Sequence, residues 1–283
     1  MTEHSLTVGS LEWFYREVSP KNTTDKSPVI LLHGLPAHSY TWRKIMPILS
    51  EKGFRAIAPD WIGAGKSAKP DKREFAYTPQ AYLEALKSLI EALEIEKFSL
   101  VVQGFLASVG IQYALTYREQ IDRLIILNTP LSPDVKLPWL MQQWAIPFMG
   151  DMITQDPLLV DRTLEKGSGF VISDEDLAVY RQPFLKSSSV GRSLLTTTKK
   201  LQLTESLTAI QQGFTTWEHT TLIVWGMSDP WLSSEPAEKL AANHGNVELI
   251  KLDEAKHYPQ EHWVQEVSEA IVNFLRRQAS SRV

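Results

Sequence analysis

Phe98-Ser99-Leu100-Val101-Val102-Gln103-Gly104-Phe105-Leu106-Ala107 runs from a short apolar, β-branched stretch straight into a helical one. That is the strand–turn–helix context of a nucleophile elbow, where a Ser, Cys or Asp stands at the tip of a sharp turn above a sheet. Here the tip is Gly104, which carries no side chain. The reading of every other motif depends on that residue.

Working outward, Val29-Ile30-Leu31-Leu32 is a continuous apolar run before His33-Gly34, as expected of a strand buried on both faces. Phe54–Ala58, Leu124–Leu127, Leu222–Trp225 and Val247–Ile250 read the same way. Helical stretches lie between them. Thr78-Pro79 opens one that carries Tyr82, Leu83, Leu86, Ile90 and Leu93 on one face. Strands alternating with helices predict an α/β fold with a mostly parallel sheet covered on both sides.

The alternation breaks once, over residues 129–216, a stretch longer than an ordinary connection. It holds Pro133, Pro138, Pro147, Pro157 and Pro183, and Ser173-Asp174-Glu175-Asp176 has the form of a helix start. The expected organisation is a core of residues 1–128 and 217–283 with a helical lid (cap) inserted at 129–216.

Composition narrows the function classes. The 283 residues carry 33 acidic and 29 basic side chains, mixed along the chain, for a formal charge of −4. Without a basic stripe, nucleic acid is not an expected partner. The absence of Cys removes disulfides, thiolate metal sites and a Cys nucleophile. No apolar run approaches the roughly 20 residues that span a bilayer, so no transmembrane segment and a cytoplasmic location are expected. No metal and no cofactor are expected either.

Four further segments carry a resemblance. His33-Gly34-Leu35-Pro36 has the form HGxP, and Asp60-Trp61-Ile62-Gly63-Ala64-Gly65-Lys66-Ser67 the form DxxGxGxS. Trp225-Gly226-Met227-Ser228-Asp229-Pro230 ends a strand with an acid, and Lys256-His257-Tyr258-Pro259-Gln260-Glu261 places a His before the last helix. Together, in this order, they resemble the α/β-hydrolase fold superfamily in its haloalkane dehalogenase and epoxide hydrolase-like branch, across almost the whole chain. The resemblance implies an eight-stranded type of sheet, a His257–Asp229 catalytic pair, and an oxyanion hole of the Leu35 and Phe105 peptide N–H groups. It also implies a pocket for a small apolar molecule, with Trp139, Trp144, Phe148 and Tyr180 as candidate lining. Tyr180 is the candidate cap tyrosine.

The pattern is not complete. The dehalogenase elbow reads Gln-Asp-Trp-Gly-Gly, whereas this chain has Gln103-Gly104-Phe105-Leu106-Ala107. Gly104 tolerates the positive φ of the turn but removes the nucleophile, and Leu106 brings bulk where a Gly is expected. Halide is held in that branch by side-chain N–H groups at the positions of Leu35 and Phe105, and neither side chain here can donate. Ser108 and Ser39 are the other hydroxyls near the frame, and Ser108 reads as bonded within its own helix. Gly65-Lys66-Ser67 imitates the end of a phosphate-binding loop, but the position that needs a second Gly is Asp60. Two readings stay open. One is an enzyme that uses the His–Asp dyad without a covalent nucleophile, and the other is a non-catalytic pseudo-hydrolase that binds a small ligand or a protein partner.

Overall fold

The computed structural model describes residues 1–22 and 25–277. Eight strands form one sheet: β1 (Thr2–Val8), β2 (Leu11–Val18), β3 (Val29–Leu32), β4 (Ala56–Pro59), β5 (Phe98–Gln103), β6 (Ile121–Leu127), β7 (Thr221–Gly226) and β8 (Val247–Leu252). Their order is β1-β2-β4-β3-β5-β6-β7-β8. The pairs from β4 through β8 are parallel, and β1 and β2 join antiparallel at one edge. Every residue of β3, β4, β5 and β7 is buried, which is why these strands read as unbroken apolar runs.

The edge hairpin is the part the sequence pattern does not reveal. β1 is largely exposed and β2 is buried only over Trp13–Arg16, so neither has an apolar run longer than the three aromatics of β2. Gly9, at φ +61°, turns between them.

Helices α1 (Ile45–Glu51), α2 (Pro79–Ala92) and α3 (Ser108–Thr116) connect the strands of the first half. Thr78 caps α2 by accepting from Ala81 N–H at 3.3 Å, and Pro79 follows as the first helical residue. Between β6 and β7 the chain makes six helices: α4 (Trp139–Gln142), α5 (Met149–Gln155), α6 (Leu158–Ser168), α7 (Asp174–Lys186), α8 (Ser188–Lys199) and α9 (Leu203–Phe214). Ser173 caps α7 through Asp176 N–H, as its sequence predicts. Then α10 (Glu235–Asn243), α11 (Pro259–His262) and α12 (Val264–Arg276) complete the core.

Two apolar layers sandwich the sheet. The larger continues into the insertion through Met141, Trp144, Leu164 and Tyr180, while the smaller lies under α1 and α12. Parallel strands deliver their following loops to one edge, so Gly34, Gly104, Asn128, Asp229 and His257 converge there. No helix among the described residues is long and apolar enough to cross a membrane.

Candidate active site

The loop after β5 turns sharply at Gly104, with no side chain at its tip. Gly104 lies at φ +86°, where a side chain would be strained. A Cβ there would stand 2.9 Å from the Gly34 Cα and 3.7 Å from His257 Nε2. A Cβ on Gly34 would in turn come within 2.8 Å of Gly104 Cα. The two loops touch through their glycines, and a side chain at 104 would point at the imidazole.

His257 is wholly buried, and its Nδ1–H donates to Asp229 Oδ2 at 2.8 Å. The other Asp229 oxygen accepts from the N–H groups of Trp231 at 2.8 Å and Leu232 at 3.2 Å. A carboxylate saturated in this way fixes the imidazole with its proton on Nδ1 and a lone pair on Nε2. That Nε2 is buried and has no hydrogen-bond partner among the described residues. Leaving such an atom unpaired costs about 1–3 kcal/mol, so it marks a feature kept against stability. The peptide N–H groups of Leu35 and Phe105 also have no hydrogen-bond partner among the described residues.

Three positioning contacts were not singled out from the sequence. Asn128, at the end of β6, donates from Nδ2 to Asp229 Oδ2 at 2.8 Å, and its Oδ1 accepts from Gly226 N–H at 2.8 Å. Gln103, just before the elbow, donates to the His257 carbonyl at 2.8 Å. The His257 N–H donates to the carbonyl of Gly167 in α6 at 2.9 Å. The histidine loop is thus clamped between the sheet and the insertion. Asn128-Thr129-Pro130 marks a strand end in sequence, and only the fold turns that amide toward Asp229.

Three aromatic rings close over the imidazole. Phe105 stacks on it with centroids 5.6 Å apart, Trp231 lies at 4.6 Å and Tyr258 meets it edge-on at 4.8 Å. The Tyr258 hydroxyl donates to the Leu35 carbonyl at 3.0 Å, and burial pushes its pKa well above the ordinary phenol value.

The four candidate lining residues do not gather at the dyad. Trp139 and Phe148 are 66 % and 86 % exposed, and neither stands beside His257. Trp144 is buried within the insertion. Tyr180 is buried too, but its hydroxyl donates to Glu261 and accepts from Arg43 at 3.4 Å. Arg43 also pairs with Glu261 at 2.9 Å and with Asp176 of α7 at 2.6 Å, so Tyr180 belongs to a buried ionic latch between α7 and the core. Burial, reinforced by Glu261, raises the Tyr180 pKa. A cavity of about 20 Å³, room for one water, lies between Leu35, Leu106 and α7–α8. The expected apolar pocket is therefore not open above the dyad in this conformation.

The remaining motif residues are structural. Ser108 Oγ donates to the Phe105 carbonyl at 2.8 Å within its own turn. His33 donates from Nδ1 to the Gly34 carbonyl and accepts from Trp61 N–H at 3.1 Å, tying two loops together. The Gly65–Ser67 turn wraps the chain's own carboxylate: Asp60 accepts from Lys66 N–H and Ser39 N–H at 2.7 Å each, leaving no cradle for phosphate. Burial works to raise the Asp60 pKa, but His38, His33 and these N–H donors hold it below the usual value. No cluster of three or more His, Cys, Asp or Glu that would suit a metal ion occurs among the described residues.

Comparison with known proteins matches this frame. The pattern of the alpha/beta hydrolase fold family covers residues 27–262. A cis-3-alkyl-4-alkyloxetan-2-one decarboxylase of Xanthomonas campestris is 26% identical over 275 residues, covering 90% of each chain. A haloalkane dehalogenase of Mycobacterium marinum is 26% identical over 254 residues, 88% of this chain and 85% of its own. Among solved structures, an ancestral haloalkane dehalogenase superposes with a TM-score of 0.84 at 26% identity, covering 96% of this chain and 98% of its own. Dehalogenase DbeA of Bradyrhizobium elkanii gives the same TM-score at 24% identity over 97% of both chains. The chain belongs to the α/β-hydrolase fold family, on its haloalkane dehalogenase-like branch.

Proposed function

We propose that this is a hydrolase-like enzyme without a covalent nucleophile, in which the His257–Asp229 dyad serves as general base. The observation that carries the reading is the buried, unpartnered Nε2 of His257, oriented by an Asp229 whose oxygens are saturated with donors. In the productive state Nε2 takes a proton from a water or from an acidic position of the substrate. The Leu35 and Phe105 N–H groups receive the developing oxyanion, and Asp229 stabilises the imidazolium.

Magnitudes set the substrate class. Loss of a covalent nucleophile costs on the order of 10⁶ in rate, while a positioned base contributes about 10²–10⁴. An activated, small and apolar substrate suits that range. An unactivated haloalkane does not, because Gly104 supplies no nucleophile and the side chains of Leu35 and Phe105 supply no halide donor. The dehalogenase and oxetanone decarboxylase relatives are consistent with an apolar substrate. In this reading residues 129–216 act as the lid that covers the dyad and excludes water from it.

The aromatic closure over His257 favours a second reading, a pseudo-hydrolase that binds a small ligand or a protein partner without turnover. The deciding experiment compares wild type with His257→Ala on activated esters, epoxides, β-lactones and substrates with an acidic proton. Turnover that disappears in the variant supports the dyad enzyme. Equal background rates in both proteins overturn it in favour of the binding protein.

A further inference from the structure

We infer that Trp231 is the gate to His257, and that the surface cleft outside it is the vestibule for a neutral, largely apolar ligand. The dyad reading enters only in taking His257 Nε2 as the destination. Anything that meets that atom must first displace a neighbour, since His257 and Phe105 are both wholly buried. Two spaces lie against residues that flank the site. The one past Leu35 and Leu106 holds about 20 Å³ and is roofed by Phe184, Val190 and Leu194 of the insertion. The other is a cleft of about 850 Å³, within the size range of small-molecule sites, and Trp231 belongs to its wall.

Among the described residues, Trp231 is the single ring that both lines the cleft and packs on His257. Its centroid lies 4.6 Å from that of His257, while its half-buried surface borders the large cleft and also a second one of about 360 Å³. The far edge of its indole packs on the backbone of α6, where a Cβ on Gly167 would meet it at 2.6 Å. Its main-chain N–H is anchored on Asp229, so a swing of the side chain would leave that end of the dyad in place. The cleft walls explain the ligand class. Leu131, Val135 and Phe214 are apolar, Gln211, Thr215 and Asn243 offer neutral polar groups to a ligand's amide or hydroxyl, and the charged groups nearby balance as Asp134 and Glu235 against Lys136 and Lys239. Such a wall selects no net charge.

Access is read without turnover by diethylpyrocarbonate, which acylates a neutral imidazole nitrogen, followed by peptide mass spectrometry. Exposed His4 reports reagent activity, and fully buried His33 reports global unfolding. In wild type His257 is labelled slowly while His33 stays protected. Trp231→Ala raises the His257 rate about ten- to a thousandfold, as expected when a minor open state of 0.1–10 % becomes the only state. Leu106→Ala leaves it unchanged. Hexanamide slows wild-type labelling at His257 but not at His4, and hexanoate does so less.

Labelling of wild-type His257 only in step with His33 would overturn the gate, as would acceleration by Leu106→Ala and not by Trp231→Ala. If Trp231→Ala also exposes His33, Trp231→Leu decides: a faster His257 with His33 protected supports the gate, and a wild-type rate overturns it. Equal behaviour of hexanamide and hexanoate overturns the ligand class. Absence of turnover in the substrate panel would leave these labelling outcomes intact, so the two proposals fail separately.

Discussion

Asn128 and His257 donate to the same oxygen of Asp229, each at 2.8 Å. The carboxylate is therefore held from the β6 end and the β8 end at once, and its position does not depend on a side chain at residue 104. Asn128→Asp keeps the volume but sets two carboxyls against each other, which raises the affinity of the pair for a proton. A raised folded-state pKa means the native state binds more protons, so stability relative to wild type improves as pH falls. Denaturant midpoints should show a deficit at pH 7 that narrows at pH 5. A deficit independent of pH would show that the two side chains do not share the site.

Restoring a side chain at the elbow should cost stability without restoring dehalogenation. At φ +86° and 2.9 Å from the Gly34 Cα, a Cβ on residue 104 is strained and crowded. Gly104→Ala is expected to lose about 1–3 kcal/mol. Gly104→Asp should lose a similar amount and release no halide from haloalkanes, because the Leu35 and Phe105 side chains cannot donate to a leaving halide. Calorimetry and a halide-release assay check the two parts. Rapid halide release by Gly104→Asp would mean that the Gly alone separates this chain from its relatives.

The legible part of the protein is the part with a period or a fixed turn. β3, β5 and β7 are buried along their whole length and β6 at every residue but Asp122, so they announce themselves as apolar runs, and Thr78-Pro79 and Ser173 mark helix starts by their capping chemistry. The His257–Asp229 contact follows from the strand ends that carry the two residues. The β1–β2 hairpin is hidden because an exposed edge needs no apolar face. The placement of the lining candidates is not legible for a different reason. Aromatic residues in the insertion look alike in sequence, but packing sends Trp144 and Tyr180 inward and Trp139 and Phe148 outward. Trp231, whose ring packs against His257, sits two residues from Asp229, and no periodicity distinguishes it.

The latch across the insertion is the next target. Arg43 is hemmed between Asp176 and Glu261, and the Glu261 side chain is only 1% exposed. Arg43→Met would leave that carboxylate buried without its cation, at a cost of about 3–5 kcal/mol. Tyr180→Phe removes one donor to Glu261 and should cost about 1.5–3 kcal/mol. Both are read from chemical unfolding. If Tyr180 served catalysis directly, the Phe variant would lose turnover with its stability intact, and the latch assignment would fall.

The buried His38 predicts an acid-sensitive fold well before the carboxylates titrate. Its Nδ1 accepts from Tyr40 N–H at 3.3 Å and its Nε2 meets the Val179 carbonyl of α7 at 3.4 Å, so the neutral ring bridges core and insertion. Burial drives its pKa down to about 4, with Arg16 and His33 adding to the shift and Asp60 opposing it. The unfolded chain takes up a proton near the ordinary value of about 6.5, whereas the native state does not. Stability is thus complete above that value and drains away as pH falls toward 4, by at most about 3 kcal/mol. His33, also held neutral by burial, adds to the slope in the same direction. His38→Asn keeps an acceptor for Tyr40 N–H and removes the titration. The variant should lose less stability than wild type between pH 7 and pH 4.5 in urea unfolding. Parallel pH profiles for the two proteins would place the acid sensitivity elsewhere.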